Sequence, residues 1–257
     1  YTEQDVYAAA RVFTGWNLRR VGDNNDDPNV YYEYVYNANQ HDTTTKTFTF
    51  PIYPDGSATI PARSAAAGQQ DGIDFITALA THPNTAQRLA GRLWRFFVSE
   101  TVPPDPDFLR LATRIYLQND TRIGPVVQFI LRSAWFQSPT TWYTRYAWPV
   151  EYVIRATKEL GYTGFSVDAM RGPLLAMGQS LFEPPDVNGW ELGEGWFSTG
   201  NMLARMNFAA TLAQNQRFNL ARDAAAGRGS PDALLEFVLD RLSPMPYDDE
   251  PRGALVG

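Results

Sequence analysis

From about Asp71 to Leu242 the chain is a succession of short apolar stripes at helical spacing, and proline marks where several of them begin. This pattern constrains the fold more than any other feature. Proline has a fixed φ and no N–H, so it suits the first turn of a helix and disrupts later ones. Pro83 opens a stripe carrying Leu89, Leu93, Phe96 and Phe97. Pro103-Pro104 breaks the chain, Asp105 is placed to cap, and Pro106 starts a helix through Leu109, Leu111, Ala112 and Ile115. Another helix is expected near Pro125 to Ala134, with Val126, Val127, Ile130 and Leu131. Pro149 opens one through Val150, Val153, Ile154 and Leu160, which Gly161 stops. Ser230-Pro231 caps the last, with Leu234, Leu235, Val238, Leu239 and Leu242. Ile73, Ile76 and Leu79 form a shorter stripe and Met202 to Leu212 a longer one, while Leu174 to Met177 belong to a helix interrupted at Gly172-Pro173.

The front of the chain differs. Thr2 and Asp5 form a variant capping box ahead of Val6, Ala9, Ala10 and Phe13, and Gly15 ends that helix. Val30 to Tyr36 is aromatic and β-branched, and Lys46 to Phe50 alternates Thr and Phe. These two runs are expected to pair as one antiparallel ribbon, with His41-Asp42 on their connection. Residues 19 to 29 read as a polar loop, 51 to 70 as a loop or flap, and 216 to 229 as a link to the last helix. The expected fold is mainly α: a multi-helix globular domain with a small antiparallel β-ribbon insertion near residues 30–50. Residues 1–257 are expected to form one domain. Tyr1 already lies inside a helix signal, so the chain reads as the C-terminal part of a longer protein.

Composition removes several function classes. The net charge is −6 and no Lys/Arg cluster interrupts it, which argues against a nucleic-acid partner. The absence of cysteine excludes disulfides, thiolate nucleophiles and thiolate-bound metals. No apolar run is long enough for a membrane span. Nucleotide-binding signatures are missing, since the chain has neither a P-loop nor Gly-x-Gly-x-x-Gly, and there is no Gly-x-Ser-x-Gly elbow. Aromatic residues make up 14%, enough to serve interfaces and stacking platforms as well as cores.

Two segments concentrate chemistry. Gln40-His41-Asp42-Thr43-Thr44-Thr45-Lys46 sets an imidazole, a carboxylate and an amine close together, in a chain with only two histidines. Functionally, His41 is the acid/base, Asp42 its orienter and Lys46 an anion stabiliser. Structurally, Asp42 accepts backbone N–H groups in a turn, His41 packs and Lys46 forms a salt bridge. The second segment is Pro184-Pro185-Asp186-Val187-Asn188-Gly189-Trp190 with Trp196. It suits ring stacking on a substrate or a rigid loop plugged into the core by its indoles, with Asp186 capping the turn. Trp16, Asp186, Trp190, Trp196 and Arg205 are the candidate substrate contacts.

A metal site would combine His41 and Asp42 with Glu151, Asp186 or Glu194, and its oxygen-rich donors would suit calcium or magnesium rather than zinc. Asp23, Asn25, Asp26 and Asp27 read as a solvated acidic loop, and His82 as a helix cap. Glu191 and Glu194 are a weak carboxylate pair. Arg92 and Arg95 are expected to pair with Asp42, Glu151 or Asp186.

In order along the chain, Tyr1-Thr2-Glu3-Gln4-Asp5-Val6, Ala9-Ala10-Arg11, Thr14-Gly15-Trp16, His41-Asp42 with Lys46, and His82-Pro83 with Thr85-Ala86 resemble the bacterial family DUF1800. So do Leu93-Trp94-Arg95-Phe96-Phe97-Val98, Pro149-Val150-Glu151, Gly178-Gln179, Pro184 to Trp190, Trp196 and Leu203-Ala204-Arg205. The resemblance spans roughly residues 1 to 212. The chain departs from it between Asp42 and Lys46, where the family often has glycine. The resemblance implies an uncharacterised protein, exported to the periplasm or beyond and associated with secreted polymer handling. The leading expectation is polymer or carbohydrate processing through His41, Asp42 and Lys46. The alternative is a non-catalytic surface, scaffold or assembly module, with a protein or polymer partner, in which the same motifs are structural.

Overall fold

The computed structural model describes residues 1–22, 29–161, 166–214, 224 and 229–242. The acidic loop expected around Asp23–Asp27 and most of the link at 216–229 lie outside the described residues. The described chain is mainly helical, with two small antiparallel sheets of two strands each. It divides into two compact units, one made of residues 1–98 and 104–137, the other of residues 99–103 and 138–257.

The first unit opens with α1 (Glu3–Val12). Its capping box forms through Asp5, which accepts from the Thr2 backbone. Asp5 also reaches across the chain to accept from Thr49 N at 2.6 Å and Thr49 Oγ1 at 2.7 Å. Burial pushes the Asp5 carboxyl upward, but the hydrogen bonds from Thr49 and Thr2 outweigh it and hold the group well below the usual carboxylate range.

The strand pairing differs from the expected one. β1 (Trp16–Val21) pairs with β2 (Tyr31–Tyr36), and β3 (Lys46–Thr47) pairs with β4 (Thr59–Ile60). The run 30–36 therefore takes its partner from residues 16–21, of which the sequence reads 19–21 as a loop, and 46–47 takes its partner from the supposed flap. The first change follows from cross-strand chemistry: the register sets Leu18 opposite Tyr34 and Arg19 opposite Glu33, with an ion pair between the latter two. The second follows from burial. Ile52 and Ile60 fill the same core as Ala8, Val12, Phe48, Phe75 and Ala78, so residues 51–60 are packed rather than free. Phe48 stacks on Phe75 at 4.8 Å.

Four helices complete this unit: α2 (Gln69–Thr81), α3 (Pro83–Phe97), α4 (Pro106–Gln118) and α5 (Ile123–Arg132). The caps fall where the sequence places them. His82 Nδ1 accepts from Asn84 N at 3.1 Å, and Asp105 accepts from Asp107 N at 2.7 Å. Trp94 packs edge-on against Phe108, which meets Trp135 in turn.

The second unit contains α6 (Pro149–Glu159), α7 (Val167–Ala176), α8 (Thr199–Ala213) and α9 (Pro231–Leu242). Its core joins Val153, Leu174, Met177, Phe208 and Leu212. α7 continues through Gly172-Pro173, so the expected interruption is absent, and Ser166 caps its start.

Candidate functional site

The connection between β2 and β3 carries His41 and Asp42, Lys46 opens β3, and the fold adds a residue that spacing did not reveal. Asp71, in the first turn of α2, lies between Lys46 and His41. Lys46 Nζ stands 2.6 Å from Asp71 Oδ2, and His41 Nε2 stands 3.3 Å from the same oxygen. None of the three side chains exposes any surface. The pleat that sends Phe48 into the core sends Lys46 inward too. Asp71 shares its helix face with the buried Phe75 and Ala78, at spacings of four and seven residues. A carboxylate on an otherwise apolar stripe requires a buried cation, and this was the signal available in the sequence.

The hydrogen bonds fix the histidine tautomer. His41 Nδ1 lies 2.9 Å from the Thr14 carbonyl oxygen, which can only accept. Nδ1 therefore carries the proton, and neutral His41 presents a lone pair at Nε2. Lys46 Nζ sits 3.4 Å from that lone pair. Its other two donors go to Asp71 Oδ2 and to the Asp42 carbonyl. The three hydrogens of the ammonium thus meet three acceptors, as a buried cation needs.

Asp42 does not orient His41; that role falls to the Thr14 carbonyl. The Asp42 carboxylate faces Arg11 Nε at 2.7 Å and accepts from Thr44 N at 2.8 Å, closing an Asx-type turn. Arg11 and then Thr44 hold the Asp42 carboxyl well below the usual range, against an opposing effect of burial. The Asp42 backbone is tied as well, because Asp42 N donates to Thr14 Oγ1 at 2.8 Å.

A second ion pair adjoins the first. Arg63 Nη1 lies 3.1 Å from Asp71 Oδ1, although the two are out of line for a hydrogen bond and neither has another hydrogen-bond partner. Arg63 Nη2 also binds Asp74. Two glycines let these elements close up. A Cβ on Gly68 would come within 2.0 Å of His41 Cδ2 and 2.4 Å of the Tyr36 hydroxyl, and one on Gly72 within 2.3 Å of the Trp16 indole. Trp16 thus sits against α2, edge-on to Phe13 and Tyr34.

Asp186, Trp190, Trp196 and Arg205 belong to the second unit. Asp186 Oδ1 accepts from Asn188 N at 2.6 Å, and Gly189 turns with φ of 96°, so Asp186 caps its own turn. Trp196 is buried between Trp148 and Trp190, each 5.8 Å away. Arg205 is buried, with its guanidinium over Tyr152 at 5.1 Å and Phe197 at 4.8 Å, and it donates to the Ala147 carbonyl. Burial pushes this guanidinium down and Tyr152 partly offsets it.

The expected arginine pairings are also corrected. Arg92 and Arg95 are exposed, whereas Asp42 pairs with Arg11 and Glu151 with Arg145 at 2.6 Å. Among the described residues no three His, Asp or Glu side chains gather in a way that could hold a metal, and no helix is long and apolar enough to cross a membrane. A cavity of about 350 Å³ opens beside α5, lined by Pro125, Phe129, Arg132 and Trp135, and includes none of the expected site residues.

The family described as "Protein of unknown function (DUF1800)" matches residues 1–257, more of the chain than the motifs between residues 1 and 212 cover. No curated protein and no solved structure matches the chain.

Proposed function

We propose that this chain, which belongs to the DUF1800 family over its whole length, is a non-catalytic assembly module. Its shared motifs hold loops to helices, and its β1–β2 ribbon meets a protein partner. One observation carries the reading: the His41 side chain exposes no surface, and a general acid or base has to touch the group it protonates.

The other motif residues serve the same internal purpose. Arg11 and Thr14 tie down Asp42, and His82 caps α3. Gln179 Oε1 accepts from Val150 N at 2.9 Å, filling an otherwise unpaired amide at the start of α6. Glu151 accepts from Trp148 N at 3.0 Å at the same helix end.

The ribbon supplies a surface. Directly opposed residues share a face, so Leu18 stands with Tyr34, and Arg20 with Tyr32. Leu18, Tyr32 and Tyr34 are exposed. Tyrosine and arginine are enriched at protein interfaces, where rigid amphipathic side chains give contact area at low entropic cost. Export to the periplasm or beyond belongs to the same proposal and rests on the family resemblance; fractionation of the source cells tests it.

The deciding experiment screens wild type and His41→Ala against glycan and ester substrates, with folding verified for both. Equal or absent activity in both is expected. Turnover by wild type that a folded His41→Ala lacks would overturn the reading in favour of catalysis by His41, Asp42 and Lys46. In a parallel arm, Tyr32→Ser/Tyr34→Ser is expected to lose a protein partner captured by wild type. Retention of a polysaccharide on the ribbon instead would replace the protein partner with a polymer.

A further inference from the structure

We propose that Lys46 and Asp71 become joined by an intramolecular amide bond, formed by the folded chain itself with His41 carrying the protons. This rests on the reading of the cluster as a structural lock and gives that lock a covalent form.

Three features of the geometry point to it. The amine and the carboxylate are held 2.6 Å apart with no exposed surface on either side chain, which supplies the proximity that turns a slow bimolecular condensation into an internal one. His41 Nε2, which carries a lone pair because Nδ1 donates to Thr14, lies 3.4 Å from the amine and 3.3 Å from Asp71 Oδ2. One basic atom therefore touches both the proton source and the oxygen that must leave. The other carboxylate oxygen, Oδ1, faces Arg63 Nη1 at 3.1 Å, yet the two make no hydrogen bond in the ion pair. A cation is thus already placed where negative charge would build up in a tetrahedral intermediate.

The steps balance. The Lys46 ammonium gives a proton to His41 Nε2, which passes it to Asp71 Oδ2, leaving a neutral amine beside a carboxylic acid. The Nζ lone pair forms a bond to Asp71 Cγ, and the carbonyl electron pair moves onto Oδ1 beside Arg63. His41 takes a second proton from the attacking nitrogen and delivers it to Oδ2. The Cγ–Oδ2 bond breaks, water departs and the C=O bond re-forms. Ammonium and carboxylate have become amide and water, with no change of oxidation state and no co-reactant. The product keeps one Nζ–H, which can still donate to the Asp42 carbonyl. Two opposite charges are removed from an interior that holds charge only at a cost.

The test is the mass of the purified full chain, followed by a tryptic map. The expected wild type is lighter than its sequence by one water and yields a branched peptide joining Lys46 to Asp71 that survives hydroxylamine. Asp71→Ala is expected at full mass. In refolded His41→Gln the bond is expected to form about 100-fold more slowly. A folded wild type at full mass after prolonged incubation overturns the proposal. So does a water loss confined to Asp71-Gly72 as a hydroxylamine-labile ring. His41→Gln cross-linking at the wild-type rate overturns the part given to His41. A wild type at full mass whose Lys46→Met variant nonetheless melts lower would remove the bond and leave the non-covalent lock standing.

Discussion

At the scale of single residues, what matters is which buried charges have partners. Lys46→Met should leave the Asp71 carboxylate with Arg63 as its one remaining cation among the described residues, and loss of one member of a buried pair costs about 3–5 kcal/mol. Chemical denaturation of wild type and variant measures it. Asp42 gives a pH signature. Its folded-state pKa is depressed by Arg11 and Thr44, so it contributes stability that is complete above the unfolded carboxylate pKa of about 4 and is lost as pH falls toward the lower folded value. Asp42→Asn should be less stable than wild type near neutrality, and the gap should narrow as pH drops below about 4. A denaturation series from neutral to acid pH checks the sign. The sequence made His41, Asp42 and Lys46 visible because they are neighbours in the chain. It hid Asp71 and Arg63, which enter the cluster only through the fold, and it paired Asp42 with the wrong arginine. Arg11 was already in view on the first helix, but nothing in one-dimensional spacing says which of several arginines a carboxylate will meet.

At the scale of elements, the helices were legible and the strand pairing was not. Prolines at Pro83, Pro106, Pro149 and Pro231 mark true helix starts, because a first turn has no use for the N–H that proline lacks. Strand partners have no such local mark. Val30–Tyr36 looked like a partner for the next β-rich run, whereas its partner is the polar segment before it, where Arg19 and Glu33 face each other in register. That ion pair is exposed, so a double-mutant cycle with Arg19→Ala and Glu33→Ala should return a coupling below about 1 kcal/mol that shrinks with added salt. A larger, salt-insensitive coupling would mean that the ribbon depends on it more than an exposed pair allows. The loop read as a flap was misjudged for a related reason. Its Pro, Gly, Ala and Ser content is that of a surface connection, and only the two isoleucines, Ile52 and Ile60, betray that it is packed.

At the scale of the whole molecule, the chain has a core in each of two compact units. Helical stripes follow one another without a long polar linker through most of its length, and the one-domain reading rests on that. A fragment ending at Gln137 contains the whole first unit and its buried ion pairs, and should unfold cooperatively on its own by circular dichroism; a gradual transition would show that it does not fold alone. The contact between Asp5 and Thr49 has a consequence in time. The carboxylate that closes the start of α1 is completed by a residue 44 positions later, and a helix of ten residues is too short to persist alone in water. The opening helix must therefore wait for a distant stretch of chain to return before it can settle. In hydrogen exchange, the amides of Ala8 to Val12 should open and close in step with those of Phe48 and Ile52, so that a segment made early becomes permanent only once the stretch around Thr49 has joined it.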